Sequence, residues 1–413
     1  MRLVAVLPHF TPDVAPTGTI GARLVTELGQ LGVSIEVVTA LPWYEGHRVD
    51  PEWAGSWRRR ELTEWGSVQR LHPFPTGDKR NIAKRAVGFA AFCAAAAAVG
   101  SAGPRADVVL AMTPPLPMAA TGFLVSVARR APLVLNVQDV FPDVAVELGV
   151  LRGRAPIAAA SALERWSYAR ASAVTVLSQG MRANLAAKTD PARLHVIPNF
   201  VDVDVIRPGD RDNAYRRELG LGDRTVVMYA GNVGMSQSLD LLVEAARALV
   251  HRRDLVFVVN GGGSSLDELR ARAAGLDNML FAPMQPQDRV PEVLAAGDLH
   301  VVPLKTGLAR SSVPSKTYSI LGAGRPVLAS VDVGSEVQRV VEAAGAGVAV
   351  PPDDLPAFVT ALTALVDDPQ RLRACGTAGR AWMQREITPA GVARTYAALL
   401  DDVARRHRAR RRG

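Results

Sequence analysis

The chain is predicted to be an α/β protein of two Rossmann-like domains, and three observations predict it. Its 413 residues exceed what one hydrophobic core supports, since single cores stop growing at about 250 to 300 residues. Short apolar runs alternate with amphipathic stretches almost throughout, which is the rhythm of βαβ units around a parallel sheet. These runs form two series, separated by a segment punctuated with proline, glycine and aspartate.

In the first series, strands are expected at 3–7, 34–39, 107–112, 133–137, 173–177 and 194–197. Each is rich in Val, Ile or Leu without polar alternation, as in strands covered on both faces. The second series is expected at 225–229, 255–259, 278–281, 299–303, 326–330 and 347–350. The intervening stretch 198–210 is the linker, so the domains are placed at 1–203 and 204–387. From Thr388 to Arg406 the pattern is helical, with Val392, Tyr396, Leu399, Leu400 and Val403 on one side. That segment, 388–413 with its tail, is assigned to the first domain as a helix that crosses back. Two such domains leave a cleft in which the carboxyl ends of both sheets can face a ligand.

The net charge of +8 is uneven: Arg405, Arg406, Arg408, Arg410, Arg411 and Arg412 crowd the last residues. Further basic clusters are Arg58-Arg59-Arg60, Lys79-Arg80 and Lys84-Arg85. Solvated charge with a disordered tail is one reading. Anionic lipid headgroups are the other, each nearby basic residue contributing about 1 kcal/mol. Nucleic acid is disfavoured because aromatics do not interleave with the basic residues. Cys93 and Cys375 suggest neither a disulfide framework nor a metal cluster, which fits a reducing compartment. The run 3–7 is too short for a secretory signal, and the apolar stretch 86–99 falls below the roughly 18 to 20 residues of a membrane span. A cytoplasmic location is expected, with peripheral contact to the inner face of the plasma membrane left open. The stretch 79–98, basic and then alanine-rich with Phe89 and Phe92, suits a membrane face or a core-packed helix.

Four motifs carry chemistry. Gly231-Asn232-Val233-Gly234 follows a strand and precedes a helix expected near Ser236, so its small residues can bring backbone N–H groups to a phosphate. Gly261-Gly262-Gly263 repeats this one strand later; either loop alone can be an ordinary tight turn, but the pair at adjacent strand ends of one sheet strengthens the phosphate reading. Pro8-His9-Phe10-Thr11-Pro12-Asp13 with Thr17-Gly18-Thr19 occupies the carboxyl edge of the first sheet. His9 there can act as a base or sugar contact, against the commoner structural role. In Arg310-Ser311-Ser312-Val313-Pro314-Ser315-Lys316, Pro314 suits a first helical turn, and the hydroxyls with Lys316 suit a diphosphate. Asp139, in Asn136-Val137-Gln138-Asp139, falls just past a buried strand and can orient an acceptor hydroxyl, act as base, or cap a turn.

At these residues the chain resembles glycosyltransferase family 4, retaining enzymes of the GT-B fold. Within it the chain is similar to the WbuB-like branch that builds O-antigen, capsule and colanic-acid polysaccharides. The most specific pieces are 136–143, Val196-Ile197-Pro198-Asn199-Phe200-Val201-Asp202, 229–239, and 312–326 with Gly334-Ser335-Glu336. The resemblance implies an NDP-sugar donor, usually UDP-linked, bound mainly by the second domain, and a polysaccharide or lipid-linked acceptor. It implies donor contacts from Gly231, Asn232, Gly234, Gln237, Gly262, Met284, Ser315, Ser319 and Glu336. Lys316, Asp139 and Arg310 are the catalytic candidates, and His9, Thr17 and Gly18 form the N-terminal loop. Catalysis is then chiefly electrostatic, with charge stabilised on the leaving diphosphate and no metal or other cofactor expected.

Two departures from the family pattern stand out. The lysine usually found soon after the first glycine loop is replaced by Gln237, so Lys316 or Arg310 has to supply the charge. Two glutamates separated by seven residues are matched by Ser311 and Ser319. A UDP-sugar epimerase of the same fold and a two-lobed binding protein without chemistry remain alternatives. A nicotinamide oxidoreductase is disfavoured because no dinucleotide fingerprint follows the first strand.

Overall fold

The computed structural model describes residues 1–75 and 82–412, so the Lys79-Arg80 cluster lies outside the described residues. The chain forms two compact units, Met1–Asn199 with Pro389–Gly413, and Phe200–Thr388. The stretch after Asn199 belongs to the second unit because Arg380 donates hydrogen bonds to the carbonyls of Val203, Ile206 and Gly322, at 2.8, 2.8 and 2.7 Å.

Unit 1 contains strands β1 (Arg2–Val6), β2 (Ser34–Ala40), β3 (Arg58–Thr63), β4 (Gly66–Leu71), β5 (Val108–Thr113), β6 (Leu133–Val137), β7 (Ala173–Val176) and β8 (Leu194–Val196). Among the described residues they form one sheet in the order β3-β4-β2-β1-β5-β6-β7-β8, parallel except for the β3–β4 pair. Residues of β5, β6 and β7 are buried throughout, as their predominantly apolar composition without polar alternation predicts. The edge hairpin β3–β4 was not expected, because neither strand carries an apolar run. Its polar residues pair with one another instead. Arg70, 3 % exposed, meets Glu61 at 2.6 Å and donates to the Thr11 carbonyl at 2.6 Å. Within the Arg58-Arg59-Arg60 cluster, Arg58 bonds Gln69 and Arg59 bonds Ser56, so these two side chains are engaged on an edge strand.

Helices α1 (Pro16–Gln30), α2 (Ile82–Ser101), α3 (Pro117–Ala128), α4 (Asp143–Glu147), α5 (Arg154–Arg170) and α6 (Gln179–Ala186) complete the first part of the unit. α2 packs on α3, burying Phe92, Cys93 and Ala96 while leaving Val87 exposed. That arrangement favours the core-packed reading of the alanine-rich stretch.

Unit 2 contains β9 (Thr225–Ala230), β10 (Leu255–Asn260), β11 (Met279–Ala282), β12 (Leu299–Pro303), β13 (Val327–Ser330) and β14 (Gly347–Val350). Among the described residues they form a parallel sheet in the order β11-β10-β9-β12-β13-β14. Val227, Tyr229, Phe257 and Val259 join one buried cluster, while Val226, Met228, Val256 and Val258 join another. Both faces are therefore covered, by α7 (Ala214–Glu218), α8 (Asp240–Ala248), α9 (Leu266–Arg272), α10 (Val290–Ala296), α11 (Lys316–Gly322), α12 (Glu336–Ala343), α13 (Leu355–Val366) and α14 (Pro369–Glu386).

The last helix, α15 (Pro389–Arg412), returns to unit 1 and packs on α1 and β5. Its Tyr396 hydroxyl lies 2.5 Å from Asn136 Nδ2 and 3.1 Å from Thr175 Oγ1. The basic tail is part of this helix rather than a disordered extension. Arg408 pairs with Asp107 at 2.9 Å, and Arg411 donates to the Arg130 carbonyl at 3.1 Å.

Candidate active site

The carboxyl edge of the second sheet brings two of the sequence motifs into contact. Lys316 is the first residue of α11, and its Nζ donates a hydrogen bond to the Tyr229 hydroxyl at 2.5 Å. The same amine lies 3.9 Å from the centre of the Tyr229 ring. A Cβ at Gly231 would stand 3.5 Å from this Nζ, so the bare glycine leaves the amine approachable from the loop side. Among the described residues no carboxylate pairs with Lys316, and burial lowers its pKa from 10.5 to about 7. A half-buried amine without a counter-ion is a receptor for an anion.

The glycine loops differ from expectation. The helix after Gly231 starts at Asp240, not near Ser236, and the residues between are irregular. The N–H groups of Gly231 and Val233 donate to the carbonyls of Asn260 and Gly262, at 2.9 and 2.8 Å. The Gly234 N–H donates to Gln237 Oε1 at 3.0 Å, and Gln237 Nε2 donates to Ser236 Oγ at 2.7 Å. Three N–H groups expected to face a phosphate are thus committed within the protein, and Gln237 braces the loop. In the second loop, a Cβ at Gly261 would sit 2.0 Å from the Gly231 carbonyl oxygen. One at Gly263 would sit 2.3 Å from that of Val233 and 2.7 Å from Asn232 Oδ1. These glycines are required by loop-on-loop packing. A Cβ at Gly262 would meet nothing within 4 Å, so its open side can face a ligand.

The serine-rich stretch also shifts. Pro314 precedes the helix, Ser315 is its N-cap, and the Ser315 side chain makes no capping bond. Ser319 lies one turn further on the same face, half-buried. α11 has only seven residues, which limits what its dipole can add and leaves the amine as the principal charge. Ser311 is fully buried and donates to the Leu308 carbonyl at 3.3 Å, so it does not present its hydroxyl to solvent as the matching glutamate position requires. Arg310 is exposed on a loop pinned by Asp332, whose Oδ2 accepts from the N–H groups of Gly307 and Ala309 at 2.9 and 3.2 Å. Glu336 opens α12 and is taken up by Arg339. Met284, 53 % exposed, follows edge strand β11, two strands from β9.

In unit 1, His9 Nδ1 meets buried Asp13 at 2.6 Å, and Asp13 also accepts from the Tyr44 N–H at 3.1 Å. The imidazole stacks on Trp43 at 5.7 Å and meets the Tyr44 ring edge-on at 5.5 Å. Asp13 therefore fixes the ring, and Nε2 is the nitrogen left for a ligand. Thr17 and Gly18 belong to the first turn of α1 rather than to the preceding loop. Gly18 is small because a Cβ would stand 3.0 Å from His9 Cβ. Asp139 lies half-buried just past β6. Its neighbours form a buried chain: Asn199 Nδ2 donates to Gln138 Oε1 at 2.7 Å, and Gln138 Nε2 to Asn136 Oδ1 at 2.6 Å. Asn136 in turn reaches Tyr396, so the side chains of Asn136, Gln138 and Asn199 are spent on structure.

Residues the sequence did not single out are Asp13, Tyr229 and Asp332, each of which acts by holding a predicted residue. A tyrosine closing a buried strand beside a glycine loop was a signal; the two aspartates gave none beyond their position in loops. Among the described residues, no group of three or more His, Cys, Asp or Glu side chains could hold a metal ion, and no helix is long and apolar enough to cross a membrane.

With this geometry in view, the chain matches two family descriptions: a glycosyl transferase 4-like domain over residues 17–199, and glycosyl transferases group 1 over residues 224–368. WcaI of Escherichia coli (strain K12), named for glycosyl transfer in colanic acid biosynthesis, is 27 % identical over 414 residues, covering 96 % of this chain and 98 % of its own. WbjE of Pseudomonas aeruginosa, named as a glycosyltransferase, is 30 % identical over 311 residues, 73 % of this chain and 75 % of its own. Among solved structures, Anabaena HepE in complex with UDP superposes with a TM-score of 0.68 at 16 % identity, covering 97 % of this chain and 100 % of that one. That likeness shows the fold, GT-B. The chain belongs to the glycosyltransferases with a 4-like domain followed by a group 1 domain, and it is a glycosyltransferase.

Proposed function

We propose that the chain is a retaining glycosyltransferase that moves a sugar from a UDP-sugar to a lipid-linked or oligosaccharide acceptor during cell-surface polysaccharide assembly, as the WbuB-like branch does. The observation that carries the donor assignment is the Lys316 amine, half-buried against Tyr229 beside Gly231 and lacking a carboxylate partner among the described residues. It suits the diphosphate of a nucleotide sugar. The UDP complex of HepE and the colanic-acid assignment of WcaI support the donor and product classes.

In this scheme the bond from the sugar C1 to the diphosphate oxygen breaks, and a bond to the acceptor oxygen forms on the same face. The acceptor proton passes to the leaving diphosphate. Lys316 stabilises the charge that builds there, assisted by Arg310, while Gly262, Ser315 and Ser319 line the donor. On unit 1, His9 and Asp139 orient the acceptor. No divalent metal takes part in the proposed transfer, and the protein works in the cytoplasm at the inner membrane face, the α15 arginines adding attraction to anionic lipid.

A thermal-shift panel of UDP-, GDP- and dTDP-sugars tests the donor, because a bound donor raises the melting temperature as RT ln(1+[L]/Kd). NMR of the transfer product then reads the anomeric configuration. Inversion would refute retention, and epimer formation from donor alone would replace transfer with epimerisation.

A further inference from the structure

We propose that Tyr229 is a positioning residue of the donor site, whose single hydroxyl locks the Lys316 amine and the 231–234 loop into one rigid receptor for a diphosphate. This rests on the donor assignment above and adds a residue to it.

Tyr229 is fully buried near the end of β9, its ring packed in the core with Val233 and Leu239. Its hydroxyl has two partners, the Asn232 carbonyl at 2.5 Å and the Lys316 amine at 2.5 Å. The direction of both bonds is forced by chemistry. A carbonyl can only accept, so Tyr229 donates to Asn232; a protonated amine can only donate, so Tyr229 accepts from Lys316. One hydroxyl thereby ties the loop that follows β9 to the side chain that opens α11. The ring face adds a second hold on the amine, at 3.9 Å from its centre.

Core packing needs only the ring, which phenylalanine supplies equally well. What the hydroxyl adds is order. A lysine loses much rotamer freedom when fixed, and here that cost is met before a ligand arrives. The remaining Nζ protons are left for phosphate oxygens, on the side where Gly231 has no side chain.

The test is a set of titrations of the wild-type protein, Tyr229→Phe, Lys316→Met and the double variant. Isothermal calorimetry is run with UDP against UMP, and with GDP and dTDP against their monophosphates. The wild type should prefer the diphosphate. Tyr229→Phe should reduce that preference by about tenfold or more, the size of a hydrogen bond to a charged group, with monophosphate affinity unchanged. In the Lys316→Met background it should have little further effect.

Unchanged diphosphate preference in Tyr229→Phe overturns the proposal, and so does an equal loss of both nucleotides, which would mark a merely structural role. Full additivity in the double variant overturns it as well. If Lys316→Met keeps the diphosphate preference, or the wild type has none, the donor assignment falls and this proposal with it. A kinetic split gives an independent check: kcat should fall more than KM rises if the held amine acts on the leaving group.

Discussion

Lys316→Met should make the protein more stable while disabling it, and the size of the gain follows from burial of the amine. Folding lowers the Lys316 pKa from 10.5 to about 7, so the folded state disfavours the charged form. Below pH 7 the lysine is charged in both states, and its burial costs at most on the order of 4 to 5 kcal/mol. As pH rises from 7 to 10.5 the unfolded chain still binds the proton and the folded chain does not. Stability therefore rises with pH, by about 1.4 kcal/mol per unit, until the penalty disappears. Methionine fills similar volume without charge and should remove the penalty at all pH values. Unit 2 need not unfold together with unit 1, so a global transition is a poor readout. Hydrogen exchange of peptides covering β9 and β10, compared between the two proteins at one pH, isolates the effect. The variant should be more protected by up to about 4 kcal/mol at pH 6.5 and by about 2 to 3 kcal/mol at pH 8.5. Its kcat/KM should fall roughly 100- to 1000-fold, as expected for loss of a group that stabilises transition-state charge. A variant no more protected than wild type, or a difference that does not shrink with pH, would refute the reasoning.

Other substitutions separate packing from chemistry. Gly261→Ala places a Cβ 2.0 Å from the Gly231 carbonyl oxygen, so the melting temperature of unit 2 and diphosphate affinity should fall together, with a cost of about 1 to 3 kcal/mol in calorimetry. Tyr396→Phe strips the Asn136 and Thr175 side chains of a buried partner and should cost about 1 to 3 kcal/mol in denaturation while donor KM stays unchanged. Asp13→Ala frees the His9 ring and should raise acceptor KM about tenfold in steady-state assays, leaving donor KM as it was. Transfer should persist in excess EDTA; its loss, with recovery on adding Mg2+ or Mn2+, would reject a metal-free reaction.

Most of the fold was legible because buried parallel strands announce themselves. β6, β12 and β14 coincide with their predicted runs, and the others differ from theirs by one residue at one or both ends. The β3–β4 hairpin was hidden for the opposite reason. Its stability comes from cross-strand polar pairs, Arg70 with Glu61 and Arg58 with Gln69, which no hydrophobic period reports. At the site, residue types were legible but their partners were not. Lys316 and Gly231 were singled out separately, 85 positions apart in the sequence, and only the neighbouring placement of β9 and β12 puts the amine under the loop. The glycine loops misled because composition cannot distinguish a glycine that admits a phosphate from one that admits another backbone. Gly261 and Gly263 are of the second kind.

That distinction changes the kind of anion site this is. A cradle of free backbone N–H groups binds phosphate through fixed dipoles and is indifferent to pH. Here the N–H groups of Gly231, Val233, Gly234 and Gly261 are committed within the protein, so these four donors cannot meet an arriving diphosphate and charge has to take a larger share. The charge is an amine whose protonation is balanced near pH 7, and a bound dianion raises its pKa. Donor binding should then take up a proton, most strongly just above pH 7, where the free protein holds the amine largely neutral. Calorimetry in buffers of different ionisation enthalpy measures this directly. A slope corresponding to a fraction of one proton taken up at pH 8, lost in Lys316→Met, is the expected result. Equal heats in all buffers would mean that the amine is already charged, or that it does not meet the diphosphate.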